Sequence, residues 1–251
     1  MNTDSSAQPQ AGCGPLVVVT GASQGIGAAI ARRFATDVTG ARLALVARDR
    51  KRLDAIAETC LRSGAAAAAS FIADLSSPAE VERMVDKVHR QFGGVDVLIN
   101  NAGRWRGGAA HEMPVADFTL SLQENLVSMF AVTRGFLPDM LGRCTGDIYF
   151  VSSTSGLEGV ANNAAYCAAK HGVAGLAKAL RAEVASHGIR VCCVYPGATD
   201  TATWDGSDID RSTLMPADDV ARVFVDSHRL SRLTRLDDIV LRPATPLRRL
   251  E

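Results

Sequence analysis

The sequence predicts an α/β fold in which a parallel sheet of about seven strands is covered by helices on both faces. Short runs such as Leu16–Thr20 and Arg42–Ala47 are apolar at almost every position, as expected of strands buried on both faces of a parallel sheet. Segments with helical periodicity follow these runs one after another, and strands that alternate with helices form doubly wound sheets. The 251 residues, 47% of them hydrophobic, suffice for one domain with a large core, which we assign to residues 15–251.

The first strand leads directly into a glycine-rich loop. Leu16–Thr20 is followed by GASQGIG at residues 21–27 and by a helix through Phe34. Glycines let the backbone approach a pyrophosphate, and the N–H groups at a helix start carry positive partial charge. The spacing is GxxxGxG rather than the GxGxxG of the usual dinucleotide fingerprint. Glycines also make ordinary turns, but the flanking strand and helix favour a phosphate-binding loop.

The chain continues in the same alternation through its first half. After Arg42–Ala47, a helix is predicted over residues 49–63, and the rhythm predicts a third strand in the alanine-rich segment 65–73. Residues 77–80 form a capping box with Pro78 at the first helical position, which predicts a helix to about residue 92.

The second half supplies four further strands, predicted at residues 95–100, 147–151, 190–195 and 238–242. The amides of the NAG segment after the first of these are expected to hydrogen-bond across neighbouring strand ends. A long helix predicted over 115–139 carries Asn125 in its middle, where an amide is neither a cap nor a good helix former. Two more helices are predicted, one ending at residue 187 and one at Ala217–Arg229. Folds of this kind bind ligands at the carboxyl ends of the strands.

Composition and charge argue against several classes of partner. The formal net charge is zero and no basic stripe stands out, so neither nucleic acid nor an anionic membrane is expected. No apolar run approaches the ~20 residues that a membrane span requires. Residues 1–14 are polar and are predicted to form a disordered tail rather than a secretory signal, and residues 247–251 are interpreted as a solvated basic tail.

The six cysteines are scattered without CxxC or metal-type spacing. This pattern predicts reduced thiols, no metal site and a cytoplasmic location. The neighbours Cys192 and Cys193 are expected to face opposite sides of a strand.

Three side chains suggest carbonyl chemistry. Tyr166 and Lys170 are four residues apart, so a helix would place both on one face. A phenol has a pKa near ~10, and an adjacent cation favours the phenolate. Ser153 stands thirteen residues before Tyr166, at the end of a predicted strand, where its hydroxyl could meet the phenol and a substrate carbonyl. Taken alone, YxxxK is also a common accident and Ser153 an ordinary strand cap.

The order of these motifs resembles the short-chain dehydrogenase/reductase family from about Leu16 to Pro243. That family shows TGxxxGIG, NNAG, a serine thirteen residues before YxxxK, and PG followed by threonine. Here the corresponding segments are residues 20–27 and 100–103, Ser153 with Tyr166 and Lys170, and residues 196–197 followed by Thr201. The resemblance implies a single Rossmann-type nucleotide-binding domain.

The resemblance also implies catalytic roles. Tyr166 would transfer the proton to or from the substrate oxygen, and Ser153 would hydrogen-bond that oxygen. Lys170 would depress the pKa of Tyr166 and hold the nicotinamide ribose. Asn125 would stabilise a water linking Lys170 to solvent, although in isolation it would be a tolerated helical amide.

A cofactor-binding set at the strand ends follows from the same resemblance. Its members are Gly21, Ser23, Gln24, Gly25, Ile26, Gly27, Arg48, Asp74, Leu75, Asn101, Ala102, Gly103, Tyr166, Lys170, Pro196, Gly197, Thr199 and Thr201. Asp74 would contact the adenine, or is simply an acid at a helix entry. Thr201 would bond the carboxamide or pyrophosphate region, or is an ordinary loop threonine.

The residues after the second strand favour NADP(H) over NAD(H). NAD enzymes of this type usually place a carboxylate there to accept the ribose hydroxyls, whereas this chain has Ala47 and Arg48. A guanidinium can pair with the 2′-phosphate, and Asp49 is better interpreted as the cap of the next helix. The alternative is that Arg48 is a solvated surface charge.

These observations predict an NADP-dependent oxidoreductase that transfers hydride between the nicotinamide and a ketone, 3-oxoacyl or secondary alcohol substrate. A dinucleotide-sensing regulator on the same fold is the main alternative, and it would not need the acid and its partners. An epimerase or dehydratase would need a longer C-terminal substrate region. The ending LRP lacks the double-glycine tail that acyl-carrier-protein reductases often show, which weakens that assignment.

Two further expectations concern partners. By the family resemblance, a homo-oligomer, dimer or tetramer, is expected through helical residues 121–140 and 164–185, which carry many small and apolar side chains. The alternative is that these helices simply pack on the sheet. Residues 104–106 (RWR) follow the NNAG segment, and two arginines are costly to bury without a partner. They would bind an anionic group of the substrate, or else point into water or pair with Glu112 or Asp117.

Overall fold

The apolar runs lie side by side as one parallel sheet in the computed structural model, which describes residues 14–249. The strand order is β3-β2-β1-β4-β5-β6-β7, and every neighbouring pair is parallel. The strands are β1 Leu16–Thr20, β2 Arg42–Ala47, β3 Ala67–Ile72, β4 Val97–Asn100, β5 Gly146–Val151, β6 Ile189–Pro196 and β7 Asp238–Leu241. The helices are α1 Gly25–Asp37, α2 Arg50–Arg62, α3 Pro78–Phe92, α4 Val115–Leu122, α5 Ser128–Arg143, α6 Ala164–Val184 and α7 Ala217–Arg229. The predicted doubly wound fold is confirmed.

The strand order reverses between β1 and β4, which creates a crevice at their carboxyl ends. Each face of the sheet carries its own apolar core, because successive strand residues point to opposite faces. Val18 lies in one core and Val17 in the other. Cys193 and Cys192 are divided in the same way, as predicted.

The long helix predicted over residues 115–139 is divided in the structure. A π-helical turn, Gln123–Val127, separates α4 from α5, and α5 continues to Arg143. π-turns insert one extra residue and often mark functional positions. Asn125 lies in this turn with its side chain fully buried.

The caps of the first helices agree with the sequence in part. Asp49 caps α2 by accepting a hydrogen bond from the Arg52 N–H at 3.0 Å, as predicted. The Ser77 hydroxyl accepts from the Glu80 N–H at 3.4 Å. The returning half of the capping box is wrong, because the Glu80 carboxylate accepts from the Asp74 N–H at 2.8 Å instead.

A buried ionic cluster lies at the amino end of β5, on the edge of the sheet away from the crevice. The Asp147 carboxylate is 1% exposed and accepts two hydrogen bonds from the Arg190 guanidinium, at 2.7 and 2.8 Å. His228 Nδ1 and an Arg232 nitrogen each lie 2.7 Å from the same carboxylate. Burial alone would raise the pKa of Asp147, but these hydrogen bonds and charges lower it to about 2. The cluster joins β5 and β6 to α7 and the loop after it.

The two ends of the described chain differ from the tails predicted there. Residues 1–13 of the predicted N-terminal tail lie outside the described part, whereas the Gly14 carbonyl accepts a hydrogen bond from Arg42. Residues 247–249 are exposed, as predicted for a solvated tail, but the backbone of Arg248 and Arg249 is paired with another loop. The Arg248 carbonyl accepts from the Asp210 N–H at 2.9 Å, and Arg249 pairs with Ile209 in an antiparallel bridge. Within residues 14–249, no helix combines the length and apolar character needed to cross a membrane.

Candidate active site

A cleft of about 970 Å³ opens at the carboxyl ends of the strands, where the order of the sheet reverses. Its walls come from the glycine loop, the loops after β2, β3 and β4, the start of α6 and the loop after β6. With one exception, Gly27, every residue of the predicted cofactor-binding set lines this cleft. The sequence therefore located the site, although the ligand contacts of these residues stay predictions.

The glycine loop has the shape that a phosphate group needs. Gly21 and Gly25 have φ values of +66° and +56°, which residues other than glycine rarely adopt. A Cβ on Gly27 would lie 2.4 Å from the Gly21 carbonyl oxygen. Only glycine therefore fits at position 27, where α1 packs closely against the loop. Gln24 precedes α1 without a side-chain cap. The first N–H groups of α1 therefore keep no side-chain acceptor, as an anion-binding helix start requires.

Thr20 and Asn101 fasten the ends of β1 and β4 to each other. The Thr20 hydroxyl accepts from the N–H groups of Asn101 and Ala102 at 2.9 and 3.0 Å, and it donates to the Ile99 carbonyl. The Asn101 amide donates back to the Thr20 carbonyl at 2.9 Å. This is the hydrogen bonding across strand ends that the sequence predicted.

Ser153, Tyr166 and Lys170 converge on the cleft from two elements. Ser153 lies in the turn after β5, where its hydroxyl accepts from the Ser155 N–H at 3.2 Å. Tyr166 and Lys170 stand one turn apart on α6, and the Lys170 ammonium lies 5.5 Å from the centre of the Tyr166 ring. The Lys170 side chain is buried and donates to the Val151 carbonyl at 2.9 Å.

The pKa values of this group differ in part from the expectation. Burial raises the pKa of Tyr166 to about 12, and a hydrogen bond with Ser153 opposes the rise. Burial also lowers the pKa of Lys170 to about 8. The expectation that Lys170 depresses the pKa of Tyr166 is not met in this structure, because desolvation has the largest effect and outweighs the hydrogen bond with Ser153. The result is a protonated phenol beside an ammonium that loses its proton easily.

Asn125 acts on the backbone of the loop after β4. Its Oδ1 accepts from the Arg104 N–H at 3.0 Å, while its Nδ2 donates to the Arg104 and Ser121 carbonyls at 2.8 and 2.9 Å. A Cβ on Gly103 would lie 2.5 Å from that Oδ1 and 3.6 Å from the Lys170 nitrogen. Asn125 thus lies behind Gly103 rather than on the cleft wall, and its contact with a water stays a prediction.

Two charged residues of the predicted cofactor-binding set, Arg48 and Asp74, line the cleft after β2 and β3. Arg48 is exposed there. The Asp74 carboxylate accepts from the N–H and the hydroxyl of Ser76, at 3.0 and 2.8 Å. These bonds lower the pKa of Asp74, and the charge of Arg48 adds to the effect. Asp74 is therefore an ionised turn residue that also faces the cleft.

The loop after β6 closes over the glycine loop. The Thr199 hydroxyl donates to the Gly197 carbonyl at 2.9 Å. The Thr201 hydroxyl accepts from the Thr203 N–H at 3.4 Å, and its methyl group would lie 3.2 Å from a Cβ on Gly25. This approach brings the segment 199–201 to the phosphate end of the cleft.

The side chains of residues 104–106 differ in their contacts. Arg106 forms an ion pair with Glu124 at 3.0 Å rather than with the predicted Glu112 or Asp117. The Trp105 ring N–H donates to the Asn163 side chain at 2.8 Å. Arg104 lines the cleft, and its guanidinium makes no hydrogen bond or ion pair with the described residues.

Among the residues that line the cleft, Arg52 and Leu247 were missed from the sequence. Arg52 donates to the Gln24 side chain at 2.6 Å, and Trp204 donates its ring N–H to the Thr199 carbonyl at 3.0 Å. Leu247 reaches the same cleft from the end of the chain. The position of Arg52 beside the glycine loop depends on how α2 lies, and nothing local in the sequence marks Leu247. Within residues 14–249, no three His, Cys, Asp or Glu side chains are grouped to hold a metal.

The chain is similar to known proteins in both sequence and structure. A family model described as short chain dehydrogenase matches residues 15–211. The chain is 30% identical over 239 residues to the sepiapterin reductase of Chlorobaculum tepidum, covering 92% of this chain and 96% of that protein. It is 34% identical over 188 residues to the 3-oxoacyl-acyl-carrier-protein reductase of Escherichia coli, covering 75% of each.

A solved structure also has a fold similar to that of this chain. A variant of the actinorhodin polyketide ketoreductase, crystallised with NADPH, superposes with a TM-score of 0.84 at 31% sequence identity. The match covers 91% of this chain and 96% of that one. The likeness therefore extends past residue 211.

Proposed function

This chain belongs to the short chain dehydrogenase family, and from that premise we propose that it reduces ketones or 3-oxoacyl compounds with NADPH. Family membership makes it an NAD(P)-dependent enzyme that acts on C=O or CH–OH groups. The observation that carries the proposal is the convergence of Ser153, Tyr166 and Lys170 on one cleft with the glycine loop. A catalytically silent sensor would need the loop but not the acid.

The residues present fit a phosphorylated dinucleotide. The uncapped start of α1 and the left-handed glycines suit a pyrophosphate. Arg48 and Arg52 both line the cleft, and their guanidinium groups would pair with a 2′-phosphate. The solved ketoreductase with NADPH supports the same preference.

The chain's own residues would supply the proton and the positioning. When bound, the reduced nicotinamide supplies the hydride. The Ser153 hydroxyl would hold the carbonyl oxygen, and the Tyr166 phenol would donate its proton to that oxygen, giving a secondary alcohol. Protonated Tyr166 is the form that reduction requires, and its raised pKa keeps it in that form. Lys170 would hold the nicotinamide ribose while its hydrogen bond to Val151 fixes its direction.

The substrate class rests on the walls of the cleft and on the relatives. Trp105, Val160 and Trp204 give the substrate end apolar surfaces. The names of two relatives, a 3-oxoacyl reductase and a polyketide ketoreductase, support a ketone with an acyl-type chain.

Assembly and location belong to the same proposal. Val127 and Phe130 are 40% and 51% exposed on neighbouring turns of the predicted contact region, and Gly175 on α6 has open space around it. We propose that this surface joins two copies, to be checked by light scattering at micromolar concentration, where a monomer mass would contradict it. Free thiols at Cys60, Cys144, Cys167, Cys192 and Cys193 support a cytoplasmic location.

One experiment tests the activity and the cofactor together. Binding of NADPH and NADH is measured by fluorescence titration, and a panel of ketones and secondary alcohols is followed at the nicotinamide absorbance. We expect tighter binding of NADPH and reduction of ketones. Equal or tighter binding of NADH contradicts the cofactor preference, and cofactor binding without turnover of any panel member contradicts the activity.

A further inference from the structure

The last described segment of the chain, residues 242–249, crosses the mouth of the cleft. After β7, the Arg242 guanidinium forms an ion pair with Glu158 at 2.8 Å, on the loop that follows Ser153. At its other end the segment reaches the loop after β6, where the Arg248 carbonyl accepts from the Asp210 N–H at 2.9 Å. We call residues 242–249 the strap, because it joins the two loops that border the substrate end of the cleft.

The strap is held at both ends and is stiff between them. Pro243 packs against Gly197, with its Cδ 3.1 Å from where a Cβ on that glycine would lie. Pro246 fixes a second φ angle within the short span. At the far end, Arg249 pairs with Ile209 in the antiparallel bridge and with Asp208 through an ion pair of 3.2 Å. Exposed ion pairs contribute little by themselves, so the backbone contacts and the prolines define the path.

Leu247 is the residue that the strap turns toward the cleft. It lines the same cleft as Tyr166 and Trp204, although it lies outside the segment matched by the family model. Its side chain is 43% exposed, so an apolar surface remains for a bound molecule to cover. A neighbouring apolar wall, Trp204, is fixed by its hydrogen bond to Thr199. Burial of apolar surface is the main source of affinity in such a pocket.

We infer that Leu247 sets the size of the apolar group that a substrate can carry beside its carbonyl. This inference rests on the proposed ketone reductase function. A leucine held by the strap shortens the substrate end of the cleft, so it favours small or medium groups and excludes long ones. A smaller side chain would open that end, and a larger one would close it further.

The test compares the size preference of three variants with that of the wild type. The wild type, Leu247→Ala and Leu247→Trp are assayed with NADPH on linear 2-ketones from butanone to 2-decanone. Leu233→Ala is the matched control, since this leucine is 99% exposed in the loop before β7 and does not line the cleft. For each protein, the ratio of kcat/KM for the longest ketone to that for the shortest is measured, together with NADPH affinity and Tm.

We expect Leu247→Ala to raise the long-to-short ratio by about 10-fold or more and Leu247→Trp to lower it by a similar factor. NADPH affinity and the control ratio should stay within about two-fold of the wild type. Ratios within two-fold of the wild type for both Leu247 variants would overturn the inference while leaving the proposed function intact. If Leu247→Ala does not fold, the Leu247→Trp ratio decides alone. A wild type that binds NADPH but reduces no ketone overturns the proposed function and this inference with it.

Discussion

The ammonium nitrogen of Lys170 lies 5.5 Å from the centre of the Tyr166 ring, while its hydrogen bond goes to the Val151 carbonyl. The lysine is thus anchored by the end of β5 and faces the phenol without bonding to it. The Tyr166 hydroxyl hydrogen-bonds with Ser153 instead.

The first prediction is that Tyr166→Phe keeps the fold and cofactor binding but loses catalysis. Removing a general acid costs about 10²–10⁴-fold in kcat. The measurement is kcat with the best ketone, alongside the Kd for NADPH and the Tm. A variant with more than half of the wild-type kcat would refute the role of Tyr166.

A second prediction concerns stability against pH. Lys170 has a folded pKa of about 8, below the ~10.4 of an unfolded lysine. Between these values the unfolded chain binds the extra proton, so the free energy of unfolding contributed by this group rises with pH. Replacement by methionine removes that dependence.

We therefore expect the stability of the wild type relative to Lys170→Met to increase by about 2 kcal/mol from pH 7 to pH 9.5. Urea unfolding at both pH values measures it. The range stops below pH 10 because Tyr166, whose pKa is raised, contributes with the opposite sign above its unfolded pKa. A difference that stays constant with pH would contradict the burial of a charged Lys170.

The third prediction tests the preference for the phosphorylated cofactor. Arg48→Ala should weaken NADPH binding by about 10- to 100-fold, the loss of a charge-assisted hydrogen bond, and leave NADH nearly unchanged. Arg50→Ala is the matched control, because Arg50 is exposed two residues later and does not line the cleft. Equal losses for both cofactors would indicate that Arg48 only shapes the loop.

A fourth prediction separates the two arginines after the NNAG segment. Arg106 is held by Glu124, whereas Arg104 lines the cleft without an ionic partner among residues 14–249. Arg104→Ala should reduce kcat/KM for ketones that carry a carboxylate by about 10- to 100-fold and barely change neutral ketones. Arg106→Ala should affect both classes equally by loosening the loop. If Arg104→Ala also lowers both classes alike, Arg104 orders the loop and does not recognise an anion.

Local sequence patterns predicted most strands and helices, because the formation of each one depends on residues that are close in the sequence. The bounds of β1, β2, α3 and α7 agree with the predictions, and the other strands differ by one or two residues at their ends. The fused prediction of α4 and α5 was wrong, because the π-turn is stabilised by the bonds of Asn125 to Arg104, a residue 21 positions away. A single sequence does not show such a contact.

The site, like the fold, could be predicted from the sequence only in part. The family motifs indicated which residues gather at the cleft, and Asp49 as a cap followed from its position alone. The pKa of Tyr166 could not be predicted, since it depends on the depth of burial. Arg52 and Leu247 were missed because their positions depend on how separate loops and helices fold against one another.

The Asp147 cluster means that the boundary found by sequence similarity is not a boundary of folding. The family model ends at residue 211, but His228 and Arg232 lie beyond it and contact a carboxylate buried in β5. A fragment that stops at residue 211 would leave Asp147 with Arg190 alone and would strip α7 and β7 from the sheet. Breaking a buried charge network from one side is strongly destabilising. The segment after residue 211 is therefore an obligatory part of the cooperative unit.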